Sequence, residues 1–190
     1  MEFTKKLGIT TAGLTLSVAV INVKPAQAFD FTYTGTTIGE STWTRPFVAQ
    51  NANIPTLPSG IGTVTSYNTF GFKVETEGLY DFLSIATTPK EWDNYLFLYS
   101  DNFNPNQPLL NAVIGNDGFP KKGLSGFKNV SLSTDKNYFL VTTGYSDSSQ
   151  GIFENRISGP GTIVKAVPEP AMILGSAIAI LIGWIMKPTE

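Results

Sequence analysis

Residues 94–100 read Asn94-Tyr95-Leu96-Phe97-Leu98-Tyr99-Ser100, with large apolar or aromatic side chains at five consecutive positions. Side chains alternate across a strand, so Tyr95, Phe97 and Tyr99 share one face and Leu96 and Leu98 take the other. A strand that is apolar on both faces is covered on both, which predicts a layered β structure with this run near its centre. The segments around it carry the same period of two. Phe70, Phe72 and Val74 alternate with Gly71, Lys73 and Glu75, and Glu77-Gly78 turns the chain into LYDFLSIA (79–86). Downstream, LLNAVIG (109–115) runs into Asn116-Asp117-Gly118, read as a turn. In FKNVSLS (127–133) Val130 and Leu132 alternate with polar neighbours, and Asp135-Lys136-Asn137 turns into YFLVTTG (138–144). GIFENRIS (151–158) and TIVKA (162–166) are split by Gly159-Pro160-Gly161. No segment in this region shows a 3.6-residue apolar stripe. About eight or nine short strands with regular turns predict an antiparallel β-sandwich or jelly roll over residues 29–166. Residues 48–69 read as one long loop.

Composition limits what such a domain does. The chain has 190 residues, enough for one domain plus targeting segments, and contains neither Cys nor His. Disulfides, thiolate metal sites and Ser-His-Asp or Cys-His catalysis are thereby excluded, and a zinc site is disfavoured. A net charge of −2 and a pI near 5.2 argue against a nucleic-acid partner. Residues 29–170 alone hold 9 Lys and Arg against 13 Asp and Glu, a net charge of −4.

Both ends read as addresses. Lys5 and Lys6 precede an uncharged apolar stretch over 7–21, Pro25 breaks it, and Ala26-Gln27-Ala28 places small side chains at −3 and −1 of a cleavage site. This predicts a signal peptide over 1–28, removed by signal peptidase, and a mature chain that begins at Phe29. At the other end, Ala171–Met186 is a run of sixteen uncharged residues. As a helix it is ~24 Å long, short of a ~30 Å hydrocarbon core. A single transmembrane helix over 171–186 is still the expectation for a chain carried outward by a leader. Pro168 and Pro170 give that helix a sharp start.

Val167-Pro168-Glu169-Pro170, then an apolar helix, then Lys187 resembles the PEP-CTERM sorting signal of bacterial exported proteins. The resemblance covers residues 167–190 and implies transient retention in the inner membrane, cleavage near Pro-Glu-Pro by an exosortase, and release or attachment outside the cell. It also implies bacteria that make exopolysaccharide and biofilm matrix. Where that family closes on a cluster of Arg or Lys, this chain has Lys187 alone, followed by Pro188-Thr189-Glu190. A second resemblance runs from Phe70 to Val164. The order GLYDFLSIA, WDNYLFLYS, LLNAVIGNDG and VSLSTDKNYFLVTTGY is similar to the bacterial pre-peptidase C-terminal type of β-sandwich. That likeness implies an accessory, non-catalytic module, some members of which bind calcium or polysaccharide.

Three kinds of site are candidates. Trp43, Trp92, Phe119 and Tyr145 fall in or beside expected loops, where rings stack on sugars, or else they pack into the core. Trp92, in Lys90-Glu91-Trp92-Asp93, is the first choice for a glycan contact. Asp93, Asp101, Asn116 and Asp117 are the candidate calcium ligands, since calcium takes six to eight oxygens. The other reading of these residues is turn chemistry, and no other cofactor is expected. For an enzyme the pool is Asp81, Glu91, Asp93 and Glu154, a carboxylate set suited to glycoside hydrolysis. The expectation is a non-catalytic protein, exported to the cell surface or extracellular matrix, that binds exopolysaccharide or a surface protein. The alternatives are a membrane-anchored periplasmic structural protein and a carbohydrate-active hydrolase.

Overall fold

The computed structural model describes residues 28–49, 54–118 and 121–166. Ala26, the sorting motif Val167–Pro170 with Lys187, the 171–186 segment and Phe119 lie outside the described residues. Among those described, no helix is long and apolar enough to cross a membrane.

In chain order the strands are β1 (Phe29–Thr36), β2 (Thr42–Trp43), β3 (Pro46–Phe47), β4 (Leu57–Pro58), β5 (Thr65–Val74) and β6 (Gly78–Thr88). They continue with β7 (Asn94–Ser100), β8 (Ala112–Asp117), β9 (Leu124–Leu132), β10 (Tyr138–Gly144), β11 (Ile152–Gly159) and β12 (Ile163–Lys165). One sheet has the order β1-β11-β6-β9 and the other β12-β5-β10-β7-β8, with β2 also on β5; β3 pairs with β4 alone. All pairings are antiparallel. From β5 onward most connections cross from one sheet to the other, so the described residues form an all-β, sandwich-like fold.

Alternation builds its core. Phe70, Phe72 and Val74 of β5, Leu96 and Leu98 of β7 and Leu140 of β10 face Tyr80 and Phe82 of β6, Phe127 and Leu132 of β9 and Ile157 of β11. The Phe72 and Phe82 rings meet at 6.2 Å across the layer, and Phe82 and Phe127 at 5.1 Å within their sheet. Each such side chain contributes about 1.5–3 kcal/mol by burial. β7 is covered on both faces, as its sequence predicts. Its Tyr95, Phe97 and Tyr99 point away from the other sheet and lie under Trp43, Val48 and Phe103. Gly115 on β8 makes room for this layer, because a Cβ there would run into the Phe97 ring.

Several expectations are corrected. Residues 48–69 are not one loop: β4 and the first half of β5 lie within them. The segment Thr65-Ser66-Tyr67-Asn68-Thr69 hides its strand character because it is polar, and two of its three partners on β10 are polar too, with Asn68 opposite Thr142 and Tyr67 opposite Thr143. Thr143 Oγ1 donates to the Ser66 carbonyl at 2.8 Å. Asn116 and Asp117 are still in β8, and the chain turns at Gly118, whose φ of 69° suits glycine. Leu109 and Leu110, read as the start of that strand, are exposed in the preceding turn. β1 opens at Phe29, the expected first mature residue, and has no counterpart in the strands read from sequence.

Candidate binding groove

The outer face of the four-stranded sheet is the open one. Phe31 and Tyr33 of β1, Phe153 and Ile157 of β11 and Phe82 of β6 turn inward. Their neighbours in sequence must therefore turn outward. Register stacks these outward residues in rows. Asp30, Ser158 and Asp81 form one row, Thr32, Arg156 and Leu83 the next, and Thr34, Glu154, Ile85 and Leu124 a third. All of these except Thr34 and Ile85, together with Lys128 of β9, line a groove of about 810 Å³.

Its polar groups are held in place. The Ser158 hydroxyl donates to Asp30 Oδ1. A register shift between Tyr80 and Phe82 leaves Asp81 outside the ladder to β9, and there the Asn129 N–H donates to Asp81 Oδ1 at 2.8 Å. Arg156 Nε donates to Glu154 Oε1 at 2.7 Å. Lys128 has no ion-pair partner among the described residues. The groove thus offers carboxylate acceptors, guanidinium and ammonium donors and two hydroxyls over a floor of Leu83 and Leu124. Such a surface matches a ligand rich in vicinal hydroxyls, whose oxygens both donate and accept and whose C–H faces rest on aliphatic carbon.

The outer face of the other sheet is sealed by contrast. The aromatic layer on β7 is closed by Trp43 and by Arg45, which is 1% exposed. Arg45 Nε and Nη2 donate to the Tyr145 carbonyl at 2.9 and 2.6 Å, and Nη1 to the Pro46 carbonyl at 2.8 Å. Its guanidinium lies 4.6 Å from the Tyr95 ring centre and 5.1 Å from that of Tyr145. Burial pulls the Arg45 pKa down and pushes the Tyr95 phenol up to about 12.

The aromatic candidates are placed as follows. Trp92 is 6% exposed, packed on Ala86 and Phe153, and its indole N–H donates to the Ile152 carbonyl at 2.9 Å. Trp43 is 4% exposed and donates to Thr143 Oγ1 at 3.1 Å. Tyr145 is half-buried beneath Arg45. None of the three lines the groove.

The candidate calcium ligands divide. Asp93 and Asp117 lie close together at the start of β7, where burial first, and Asp93 second, push the Asp117 carboxyl up to about 6. Asn116 neighbours Asp117 on β8, but Asp101 sits beyond the far end of β7, roughly 20 Å away along the strand. Asp101 pairs with Lys136 at 3.6 Å and Asp93 with Lys122 at 3.7 Å. Among the described residues no group of three or more acidic side chains gathers to hold a metal ion.

Of the carboxylates weighed for catalysis, Asp81 and Glu154 share the groove. The register sets them four residues apart along their strands, about 13 Å, against the ~5–9.5 Å between the carboxyls of glycosidase pairs. Glu91 pairs with Lys121 at 3.4 Å in the connection between β6 and β7.

Asp30, Thr32, Lys128, Arg156 and Ser158 are not singled out by sequence. The available signal is the polar alternation in Asp30-Phe31-Thr32-Tyr33-Thr34 and Glu154-Asn155-Arg156-Ile157-Ser158. It does not reveal that two segments more than a hundred residues apart lie side by side. No family model matches the chain, and no curated protein matches it.

Proposed function

We propose that the chain is an exported, non-catalytic protein of the cell surface or extracellular matrix that binds polysaccharide through the groove on its four-stranded sheet. The observation that carries this reading is the asymmetry between the two outer faces. One is sealed by aromatic rings and Arg45, while the other is left open with anchored hydrogen-bonding groups above aliphatic carbon. The strand order supports a jelly roll, since the eight long strands are distributed over two sheets with non-sequential neighbours. The mild acidity of the domain suits a neutral glycan better than an anionic one.

An open groove without stacked rings buries modest area, and binding must offset lost ligand freedom. Affinity per site is expected between micromolar and millimolar, about −8 to −4 kcal/mol. Electrophoresis through gels containing polysaccharide from the producing cells measures it. Arg156→Ala is expected to weaken retention roughly tenfold or more, the effect of one charged hydrogen bond of about 1.5–3 kcal/mol. Its effect on stability should be small, because the exposed pair with Glu154 contributes only about 0.2–1 kcal/mol. Wild-type protein that is never retained, or Arg156→Ala retained equally, overturns the reading.

Export rests on the Ala26-Gln27-Ala28 site and on the Pro168-Glu169-Pro170 tail, with signal peptidase and an exosortase as processing enzymes. The intact mass of protein from culture medium is expected to fit a chain that starts at Phe29 and ends near Pro168–Pro170. Protein that keeps residues 1–28 argues against export. A full-length C-terminus found only in membranes supports the anchored periplasmic alternative instead.

A further inference from the structure

The two sheets end on four long or short edges, and three of them carry a feature that discourages another strand. β9 has Lys128 beside the left-handed Asn129, and its ladder is broken opposite Asp81. β8 has a register shift between Leu98 and Tyr99 of its neighbour, and β12 is three residues long and ends in Lys165. Short edges, bulges and inward or edge charges are the usual ways of blocking edge pairing. β1 is neither short nor bulged, and its one charge is Asp30 near its start. It is eight residues of FDFTYTGT, paired to β11 from end to end without a shift, with no Lys and no Pro.

Which backbone groups it leaves free follows from one hydrogen bond. The Thr37 N–H donates to the Gly151 carbonyl at 3.0 Å, one step beyond the Thr36–Ile152 pair. In an antiparallel ladder, alternate residues turn both backbone groups to the same neighbour. Odd-numbered residues of β1 therefore face β11, and Asp30, Thr32, Thr34 and Thr36 present their N–H and C=O groups at the open edge. No other strand pairs with that edge among the described residues.

We infer that a second copy of this chain occupies this edge, β1 against β1, antiparallel about a two-fold axis at Tyr33. Only even residues then exchange backbone hydrogen bonds across the joint, as their free groups require. Asp30 lies opposite Thr36 of the other copy, and Thr32 opposite Thr34. The single charge on the strand meets a hydroxyl rather than itself, and threonine meets threonine, a favourable cross-strand pair. On the inner face Phe31 lies opposite Gly35, whose own side is filled by Phe153, and Tyr33 lies opposite its copy on the axis. The four-stranded sheets become one sheet of twice the width. Asp30 and Thr32 are also on the groove wall, so the joint sets two grooves side by side. That consequence rests on the polysaccharide reading and gives the dimer avidity that one groove lacks. The pairing itself rests on β1 alone.

Sedimentation velocity on the full chain in mild detergent tests the pairing. Wild type is expected to be dimeric at high micromolar concentration. Thr34→Pro removes an N–H from the open edge while sparing the bonds to β11, and is expected to be monomeric with an unchanged β-type circular dichroism spectrum. Thr34→Lys keeps that N–H but places a charge at the joint, and should weaken the dimer even where the proline variant folds poorly. The absence of native cysteine allows a register test. Thr32→Cys and Thr34→Cys, mixed and oxidised, should cross-link well, and each alone much less. A monomeric wild type, a dimer untouched by both Thr34 substitutions, or a mixture that does not cross-link overturns the inference. Polysaccharide retention by a monomeric protein overturns the dimer alone and leaves the groove reading standing.

Discussion

Trp92→Ala is expected to cost about 3–5 kcal/mol of folding stability, the range for truncating a large buried ring. The ring closes one end of the sandwich. It packs on Ala86 of β6 and Phe153 of β11, with half-buried Tyr33 of β1 behind them, so three neighbouring strands lose a shared contact. The loss has a polar part as well, because the Ile152 carbonyl accepts the indole N–H at 2.9 Å and is left without that donor. Gly151 lies directly against the ring, where a Cβ would strike the indole, so the wild-type packing here is tight. Urea unfolding monitored by circular dichroism measures the effect. Polysaccharide retention, measured where the variant is still folded, should be unchanged. Lost retention with an unchanged unfolding midpoint would make Trp92 a ligand contact and contradict its seat in the interior.

Arg45→Ala should be of similar size, about 3–5 kcal/mol, although among the described residues it has no carboxylate in contact. Its charge is compensated by two backbone carbonyls and two tyrosine rings, and charged hydrogen bonds of this kind contribute about 1.5–3 kcal/mol each. Removing the guanidinium strands the Tyr145 and Pro46 carbonyls in a buried place and loosens the segment between β2 and β5, which Gly62 holds close to the arginine stem. The expected signature is local. Amide exchange should rise across residues 44–49 and 54–64 and at Tyr95 before the ladder of β6, β9 and β11 opens. Exchange that changes uniformly, or not at all, would show that Arg45 does not pin this segment.

The layered β architecture was legible because apolar alternation is a local property. Tyr95 through Tyr99 told that β7 is covered twice, since a half-exposed strand has no use for five large side chains in a row. What covers the second face was not legible. Trp43, Val48 and Phe103 come from segments that show no period, and Arg45 is a charged residue in an interior place. The same limit hid the first half of β5, where polar residues pair mostly with polar residues of β10 and leave no apolar signature. The groove was hidden for a further reason. Its residues look like ordinary solvent-facing positions on β1, β6, β9 and β11, and only the register puts Asp30, Ser158 and Asp81 in one row. The aromatic candidates were chosen by side-chain type and by nearness to turns. Trp92 and Trp43 show why this misleads: a loop that folds back over the end of a sandwich brings its largest ring inside.

The short β12 has a mechanical consequence. Any tension applied through the chain beyond Ala166 enters the domain along this strand, which is held to β5 by three residue pairs and by the Ala166 N–H on the Gly71 carbonyl at 2.9 Å. Pulled away from the sheet, these bonds yield one after another, like a zip. Pulled along the strand, they share the load and yield together. In both directions the yielding segment ends at Ile163, whose side chain is fixed in the core. The domain can therefore pay out about 10 Å of tether, three residues at ~3.3 Å each, while β1 and the groove stay unloaded.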